Sequence, residues 1–154
     1  MDITHGKYLG VDYGDRRTGI SECDVSGNLA SGICTVSEGG MNKTAIRVAA
    51  EAEKRGCKKI IIGMPRNMDG TEGPRADVVR AFADLLATHT SIPIDFMDER
   101  MTTMAAYRDL GETGTYGKKR RAAIDTLSAE LILQSYIDRE RSEKARVVAE
   151  DENA

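Results

Sequence analysis

The sequence contains no tryptophan, and Phe82 and Phe96 are its only phenylalanines. Proteins that bind single-stranded nucleic acid without sequence preference commonly stack bases on aromatic side chains. The scarcity of aromatic residues therefore argues against base stacking as a recognition mode, unless Tyr13, Tyr107 or Tyr116 provides it. The net charge of -3 argues against a broad basic surface that coats nucleic acid, but it leaves room for a local basic site.

Cysteine and histidine are also scarce. The three cysteines are odd in number and have no Cys-x-x-Cys or Cys/His spacing, so we expect reduced thiols and no zinc site. The two histidines are His5, near the N-terminus, and His89, at the end of a predicted helix, and we assign neither a role. A metal site in this chain would therefore depend on carboxylates.

Long apolar runs are missing as well. No segment approaches the roughly 20 apolar residues that a membrane span requires, and the N-terminus has no basic start followed by an apolar run. These absences predict a soluble, cytoplasmic protein. The length of 154 residues suits one domain with its own core. We expect this domain over residues 1–140, followed by a charged, flexible tail over residues 141–154.

Residues 8–21, YLGVDYGDRRTGIS, predict a hairpin that presents a carboxylate. The strand pattern runs to Val11, Gly14 breaks it, and a second, antiparallel strand begins at Thr18. Asp12 then lies on or just past the first strand. A lone carboxylate that is buried there needs a partner or a cation, because its desolvation costs on the order of several kcal/mol or more. The alternative is a tight turn whose Asp bonds nearby amides.

Three further strands follow, over residues 30–37, 60–62 and 92–97. The middle one is β-branched and apolar on both faces, as in a parallel strand that helices cover on each side. Helical spacing and capping residues predict four helices. They begin at Asn42, Pro74, Thr102 or Thr103, and Arg120, and they end near Gly56, His89, Leu110 and Glu140. Residues 111–119 have three glycines and no apolar pattern, and we expect this segment to be mobile.

This element order predicts a mixed five-stranded α/β sheet flanked by helices, with three antiparallel strands followed by two parallel ones. It is the ribonuclease H-like topology. In that fold the Asp of the central first strand meets carboxylates from a neighbouring strand end and from the last helix, and together they hold divalent metal ions. Asp12, Asp98 or Glu99, and Asp125 occupy those positions here.

The sequence resembles the YqgF-type (RuvX-like) family, whose members are described as Holliday-junction resolvases or nucleases of ribosomal RNA precursors. The resemblance covers roughly residues 8–138 and rests on four motifs in the family's order, GVDYGDRRTGIS, IIGMPRNMDGTEGPR, DERMTT and IDTLSAELILQSYID. It implies a ribonuclease H-like fold and a metal-dependent endonuclease that hydrolyses phosphodiester bonds in structured RNA or branched DNA. The catalytic acids and metal ligands that it implies are Asp12, Glu99 and Asp125.

Within this resemblance, the expected activity is processing of the 5′ end of pre-16S rRNA during ribosome biogenesis. The alternative is resolution of a Holliday junction by a homodimer, since a symmetric junction calls for two active sites related by a two-fold axis. Trimming of an RNA precursor needs only a monomer. The sequence leaves this choice open.

Metal chemistry favours the same residues. Two Mg²⁺ or Mn²⁺ ions about 3.5 to 4 Å apart can generate the attacking water and stabilise the leaving oxygen, and oxygen ligands suit these hard ions. The strand predicted beside the first ends in Met64 and Pro65, so the second acid must come from the turn after the last strand. At about 4.8 Å per strand, an acid two strands away is roughly 10 Å distant. The longer Glu99 therefore suits the role better than Asp98.

The nucleic-acid contacts are expected from the hairpin turn, the loop after the middle strand, the turn after the last strand and the start of the last helix. The glycine-rich residues 63–75, GMPRNMDGTEGPR, leave amides free for an anion, although their spacing is not that of a P-loop. Residues 118–121, KKRR, form a basic cluster where the last helix begins. Their positive charges oppose the helix dipole, so a contribution to helix stability does not explain them well. The alternative is a solvated basic turn. The predicted contacts are Arg16, Arg17, Arg66, Asn67, Arg75, Arg100, Lys118, Lys119, Arg120 and Arg121.

Two other functions compete with the nuclease. The DYGDRRTG turn is similar to the phosphate loop of the actin, Hsp70 and sugar-kinase superfamily, but those ATPases need two such domains and this length supplies one. A nucleic-acid-binding module without catalysis is the second alternative, because acid triplets also arise from ion pairs with neighbours such as Arg100 and Arg121. Metal binding separates the module from the nuclease, and nucleotide binding tests the ATPase.

Overall fold

The computed structural model describes the backbone of residues 6–102 and 117–153, and the side chains of residues 6–102 and 126–153. Within these residues the chain forms strands, α-helices and one short 3-10 helix. In order they are β1 (Lys7–Asp12), β2 (Thr18–Cys23), β3 (Ala30–Val36), α1 (Met41–Lys54), β4 (Cys57–Met64), α2 (Pro74–Ala87), β5 (Ile94–Asp98), the 3-10 helix (Glu99–Met101) and α3 (Gly117–Glu152).

The strands form one five-stranded sheet in the order β3-β2-β1-β4-β5. The first three strands are antiparallel, β4 is parallel to β1, and β5 is parallel to β4. The mixed sheet predicted from the sequence is therefore confirmed. β5 lies two places from β1, and β4 between them ends at Met64, as the distance argument for the second acid assumed.

The alternation of side chains along the central strands produces two cores. Leu9 and Val11 point into the core beneath α1 and α2, where Phe82 is one of the largest fully buried side chains. Tyr8 and Ile61 point to the opposite face, where α3 packs across the first three strands. β4 is buried without interruption from Ile60 to Met64, because helices cover both of its faces.

Strand glycines allow α3 to approach the sheet closely. A Cβ atom on Gly10 of β1 would lie 2.8 Å from Cβ of Leu133, and one on Gly32 of β3 would lie 2.9 Å from Cβ of Thr126. Side chains at these positions would push the helix outward. Ser21 adds a polar anchor, since its hydroxyl donates to the carbonyl oxygen of Ala129 over 2.8 Å.

Several predicted boundaries are wrong. Asn42 does not cap α1, because Gly40 is the N-cap and the Asn42 amide oxygen instead lies 2.9 Å from Nε2 of His89. α2 begins at Pro74 as predicted but ends at Ala87, and β5 is shifted to Ile94–Asp98. The 3-10 helix that follows β5 was not predicted. The helix expected from Thr102 or Thr103 to Leu110 lies outside the described residues.

α3 is longer at both ends than the predicted 120–140. It begins at Gly117, within the segment expected to be mobile, and it continues to Glu152. Residues 141–152 are helical and exposed, so the expected tail has regular structure in this region; its flexibility stays a prediction. In the described part of the chain, no helix has both the length and the apolar character that a membrane span requires.

Candidate active site

Asp12 is the last residue of β1 and lies half-buried at the end of this central strand. Its neighbours Val11 and Tyr13 contribute to the core beneath α1 and α2. Because successive strand side chains point to opposite faces, Asp12 lies on the face that α3 covers. This is the strand position that the sequence predicted.

Gly63 of β4 provides the space through which a second acid approaches Asp12. Ile62 pairs with Val11 between β4 and β1, so Gly63 follows in register beside Asp12. A Cβ atom on Gly63 would lie 2.9 Å from Oε1 of Glu99. The Glu99 carboxylate therefore extends from the end of β5 over β4, toward the strand that ends in Asp12.

Asp98, the neighbouring acid, is engaged with arginines instead. Its Oδ1 accepts a hydrogen bond of 2.9 Å from the backbone nitrogen of Arg100 and so caps the 3-10 helix. Nη2 of Arg100 donates to Oδ2 over 2.6 Å, and Nε of Arg66 lies 3.9 Å from the same oxygen. Hydrogen bonds from the Arg100 side chain hold the pKa of Asp98 below its usual value, so this carboxyl stays ionised.

Asp125 lies in α3, but its side chain is outside the described residues. The path of the helix backbone is nonetheless informative. Glu140 accepts a hydrogen bond of 3.0 Å from Tyr8 near the start of β1, and Ala129 lies against Gly10 farther along that strand. The N-terminal part of α3 therefore runs toward the Asp12 end of β1, with residue 125 one helical turn beyond Ala129.

Among the side chains of residues 6–102 and 126–153, no three His, Cys, Asp or Glu residues form a cluster that could hold a metal ion. The third carboxylate predicted for the site falls outside these residues. Asp12 and Glu99 are thus the described part of the predicted acidic site.

A cavity of about 390 Å³ adjoins Asp12, and it is lined by Asp12, Tyr13, Gly14, Asp15, Arg16, Arg17 and Arg75. Arg16 and Arg17 are exposed on the turn that follows β1. Arg75, from the first turn of α2, donates to the Tyr13 carbonyl oxygen over 2.7 Å and pairs with Asp15 at 3.1 Å. Arg75 therefore fixes this turn, a role that the sequence did not predict.

Tyr13, one of the three tyrosines left open for base stacking, lies in the core. Its side chain is 7% exposed, and its ring stacks on Phe82 with centroids 4.2 Å apart. The guanidinium of Arg75 covers the ring at 5.8 Å. Tyr13 is thus a core residue that supports the turn beside Asp12. Tyr107 and Tyr116 lie outside the described residues.

The loop between β4 and α2 does not offer all of the free amides that the sequence suggested. The backbone nitrogens of Asn67 and Gly70 donate to Thr71 and Asn67 carbonyl oxygens, each over 2.9 Å. The Thr71 nitrogen donates to the Asp69 carboxylate over 3.0 Å. These three amides stabilise the loop itself and are not available to an anion.

The remaining predicted contacts divide into two groups. Arg66 and Arg100 stand at the end of β5, bound to Asp98, and Asn67 donates to the Thr71 hydroxyl over 2.9 Å within its own loop. The second group lies in the first turns of α3, with side chains outside the described residues: Lys118, Lys119, Arg120 and Arg121.

Sequence reasoning missed Glu72 and Arg80. Both nitrogens Nε and Nη2 of Arg80 donate to the Glu72 carboxylate, over 2.7 and 2.6 Å, and Glu72 also lies 3.3 Å from Nη2 of Arg66. The position of Glu72 in the glycine-rich motif was the only signal that could have identified it. Its partners could not be read from periodicity, because Arg80 lies on the exposed side of α2.

Comparison with known proteins agrees with this arrangement. The model of the RuvX family, described as Holliday junction resolvase, matches residues 6–139. A Clostridioides difficile protein is 38% identical over 133 residues, which cover 86% of this chain and 94% of that protein. A Nocardioides protein is 41% identical over 141 residues, which cover 89% of this chain and 90% of that protein. Both carry the name "Putative pre-16S rRNA nuclease".

A solved structure of Thermus thermophilus RuvC has a TM-score of 0.54 and 12% sequence identity, with 88% of this chain and 96% of that chain covered. At this level of identity the likeness concerns the fold alone. It agrees with the ribonuclease H-like topology read from the order of the strands. The family match over residues 6–139 and the curated relatives together establish that this chain belongs to the RuvX family.

Proposed function

We propose that the protein is a divalent-metal-dependent endonuclease that hydrolyses phosphodiester bonds in structured nucleic acid, and that its substrate is the 5′ end of pre-16S rRNA. The observation that carries this proposal is that the Glu99 carboxylate lies over Gly63, the residue that follows in register beside Asp12. The names of the curated relatives support the choice of an RNA precursor. Such a substrate also agrees with the cytoplasmic location expected from the sequence.

The donor groups fit Mg²⁺ or Mn²⁺. Asp12 and Glu99 supply only oxygen ligands, which these hard ions prefer, and Asp125 would complete the set from α3. Bound ions, two in the arrangement that we propose, would lower the pKa of a water and stabilise the leaving oxygen. The chain itself places the acids: β1 holds Asp12, and the 3-10 helix directs Glu99 across β4.

The basic residues around these acids would hold the phosphate backbone. Arg16 and Arg17 line the cavity beside Asp12, and Arg66 and Arg100 stand on the Glu99 side. A nucleic acid that bridges the two sides would place a phosphodiester next to both carboxylates. Arg75 would act indirectly, through the turn that it fixes. The cluster Lys118, Lys119, Arg120 and Arg121 would add contacts from α3.

Resolution of a Holliday junction is the second candidate, which the description of the family model favours. It requires a homodimer with two sites related by a two-fold axis, whereas a monomer suffices for the RNA precursor. Mass measurement in solution with and without junction DNA distinguishes these requirements.

The central experiment measures cleavage of a pre-16S 5′ fragment, a four-way DNA junction and a matched duplex, with Mg²⁺ or Mn²⁺. We expect cleavage of the RNA precursor that requires metal and that is lost in Asp12→Asn. Preferred, symmetric cleavage of the junction would select the resolvase. Tight binding of the RNA without cleavage in either metal, together with no heat of metal binding by calorimetry, would instead select a non-catalytic binding module.

A further inference from the structure

Five charged side chains connect α2 with the residue that precedes Glu99. Their signs alternate, and each contacts the next: Arg80, Glu72, Arg66, Asp98 and Arg100. We call this series the ion-pair chain. It joins three parts of the protein that are separate in sequence, namely α2, the loop between β4 and α2, and the 3-10 helix. None of the functions proposed above assigns a role to Glu72, one of its two acids.

The α2 end of the ion-pair chain is firmly held. The Arg80 guanidinium donates two hydrogen bonds to Glu72, over 2.7 and 2.6 Å, which is the paired geometry that fixes both distance and orientation. The same guanidinium lies 5.5 Å from the centre of the Phe96 ring on β5. Glu72 is therefore anchored to α2 although it belongs to a loop, and its partner Arg80 also lies against β5. Hydrogen bonds from Arg80 hold the pKa of Glu72 below its usual value.

The other end determines the start of the 3-10 helix. Asp98 holds the backbone nitrogen of Arg100 at 2.9 Å and its guanidinium at 2.6 Å, so it clamps the residues on both sides of Glu99. Thr102 closes the turn, since its hydroxyl donates to the Glu99 carbonyl oxygen over 2.8 Å. The backbone at Glu99 is thereby fixed, and its side chain leaves in the direction of Gly63.

We propose that Glu72 is a positioning residue for the acidic site: through Arg66 it keeps Asp98 and the 3-10 helix in the arrangement that directs Glu99 over β4. This inference depends on the proposed function, because it assumes that Glu99 holds metal. Ion pairs with exposed members contribute little to folding stability. The consequence of breaking the ion-pair chain is therefore expected in the rate rather than in the melting temperature.

The test compares Glu72→Gln with Glu38→Gln. The control removes an acid that pairs with Arg47 of α1 at 3.0 Å and contacts no member of the ion-pair chain in the bonds and pairs of the described residues. For each variant, single-turnover rate, KM, metal dependence and melting temperature are measured on the substrate that the wild type cleaves.

We expect Glu72→Gln to lower the rate about tenfold and to raise the half-saturating metal concentration several-fold. KM should be unchanged or lower, because a negative charge near Arg66 is removed. The control should match wild type.

A double-mutant cycle with Asp98→Asn tests the route of the effect. If Glu72 acts through Arg66 and Asp98, the two losses of rate will not multiply, whereas independent roles will. Calorimetric titration of Mg²⁺ or Mn²⁺ into the nucleic-acid-free protein adds a readout that does not depend on cleavage, with weaker binding expected in Glu72→Gln. If Glu72→Gln melts far below wild type, Arg80→Gln breaks the same contact from α2 and should reproduce the rate and metal effects.

Two outcomes would overturn the positioning role. One is wild-type rate and metal dependence in both Glu72→Gln and Arg80→Gln. The other is a change confined to KM and its salt dependence, which would make Glu72 a residue for nucleic-acid binding. In either case an active wild type and an inactive Glu99→Gln would leave the proposed function standing. An inactive wild type, or a fully active Glu99→Gln, would overturn the proposed function itself.

Discussion

The two ends of the parallel strands beneath α3 use similar residues in different ways. At the end where β1, β4 and β5 begin, Lys59 donates to the Tyr136 hydroxyl over 2.8 Å, and this hydroxyl donates to Asp95 over 2.8 Å. Tyr8 donates to Glu140 over 3.0 Å. Each acid there has an aromatic or cationic partner within hydrogen-bond distance. At the opposite end, the Glu99 carboxylate lies over Gly63, which is in register beside Asp12.

This comparison distinguishes a stabilising end from the proposed catalytic end on one helix-covered face. Carboxylates that converge repel each other, and such an arrangement is retained where a cation is to be bound. At the start of the strands, tyrosine hydroxyls donate to the acids and Lys59 lies 3.9 Å from Glu140. The same helix therefore closes a polar cluster at one end and approaches the predicted metal site at the other. The following experiments test this division.

The largest difference is expected between Asp12→Asn and Asp95→Asn, which change the same residue type at opposite ends of the sheet. Asp12→Asn should reduce cleavage by several orders of magnitude and abolish metal binding, with an unchanged or slightly higher melting temperature without metal. Asp95→Asn should retain cleavage and lose about 1 kcal/mol of stability, because the Tyr136 hydroxyl loses a charged acceptor. Cleavage rate and thermal melting measure both, and full activity of Asp12→Asn would contradict the assignment.

The neighbouring acids Asp98 and Glu99 should differ almost as strongly. Glu99→Gln is expected to cost several orders of magnitude in rate, as is Asp125→Asn, because each removes a proposed metal ligand. Asp98→Asn should cost much less, about tenfold, since its carboxylate binds arginines and caps the 3-10 helix. Single-turnover rates at saturating metal decide the question. An inactive Asp98→Asn with an active Glu99→Gln would reverse the two roles.

Gly63→Ala tests whether the gap between the acids matters. Its Cβ would lie 2.9 Å from Oε1 of Glu99 and 2.5 Å from Cδ1 of Ile132. We expect a 10- to 100-fold loss of rate, about the size that a small misplacement produces, and a stability loss of about 1 to 3 kcal/mol. Gly10→Ala also crowds α3, at Leu133 and about two helical turns from Asp125, and its Cβ meets no acid, so it should be destabilised with a smaller loss of rate. Equal rate losses in the two variants would attribute the effect to α3.

A smaller effect is expected from the basic cluster at the start of α3. Replacement of Lys118 and Lys119 by Ala should flatten the slope of log affinity against log salt by about 1.4 on single strands or 1.8 on duplex, if both side chains touch phosphates. The rate at saturating substrate should change less than the affinity. Titration at several salt concentrations measures the slope, and an unchanged slope would make the cluster a solvated turn.

The smallest effect concerns the stabilising end at alkaline pH. Burial, with the Glu140 hydrogen bond, raises the pKa of Tyr8 to about 12, and burial raises the pKa of Cys57 to about 11. Both groups are neutral in the folded protein, so their contribution to stability is complete below pH 9 and is lost as pH rises toward 12. Urea unfolding from pH 8 to 12 should record this decline, by up to about 2 kcal/mol per group. Tyr8→Phe should flatten it above pH 10.

The sequence predicted what local patterns determine. Alternation around Asp12 predicted the hairpin, and the apolar run at Ile60 to Ile62 predicted a buried parallel strand. The extension of α3 beyond Glu140 was missed because an absent apolar pattern was taken as absent structure. Residues 141–152 contain many strong helix formers, so they extend the helix without joining the core.

The arginine contacts were beyond sequence reasoning for a different reason. Arg66, Arg75 and Arg100 were predicted to meet phosphates from their charge and position. Which carboxylate or carbonyl oxygen each one meets depends on where α2 and β5 are brought together, and this is a tertiary property. The pairing of Asp98 with Arg100 lies within one motif, yet the motif alone did not distinguish a capping acid from a ligand.

The glycines of this protein limit how it can be made more heat-resistant. Replacement of glycine by alanine is a common route to a higher melting temperature, because it reduces the freedom of the unfolded chain. Gly10 and Gly32 have ordinary backbone angles but no room for a methyl group beneath α3. Gly39 and Gly56 have open space but φ values of 70° and 67°, where alanine is strained. An engineer would do better to begin on the exposed faces of the helices.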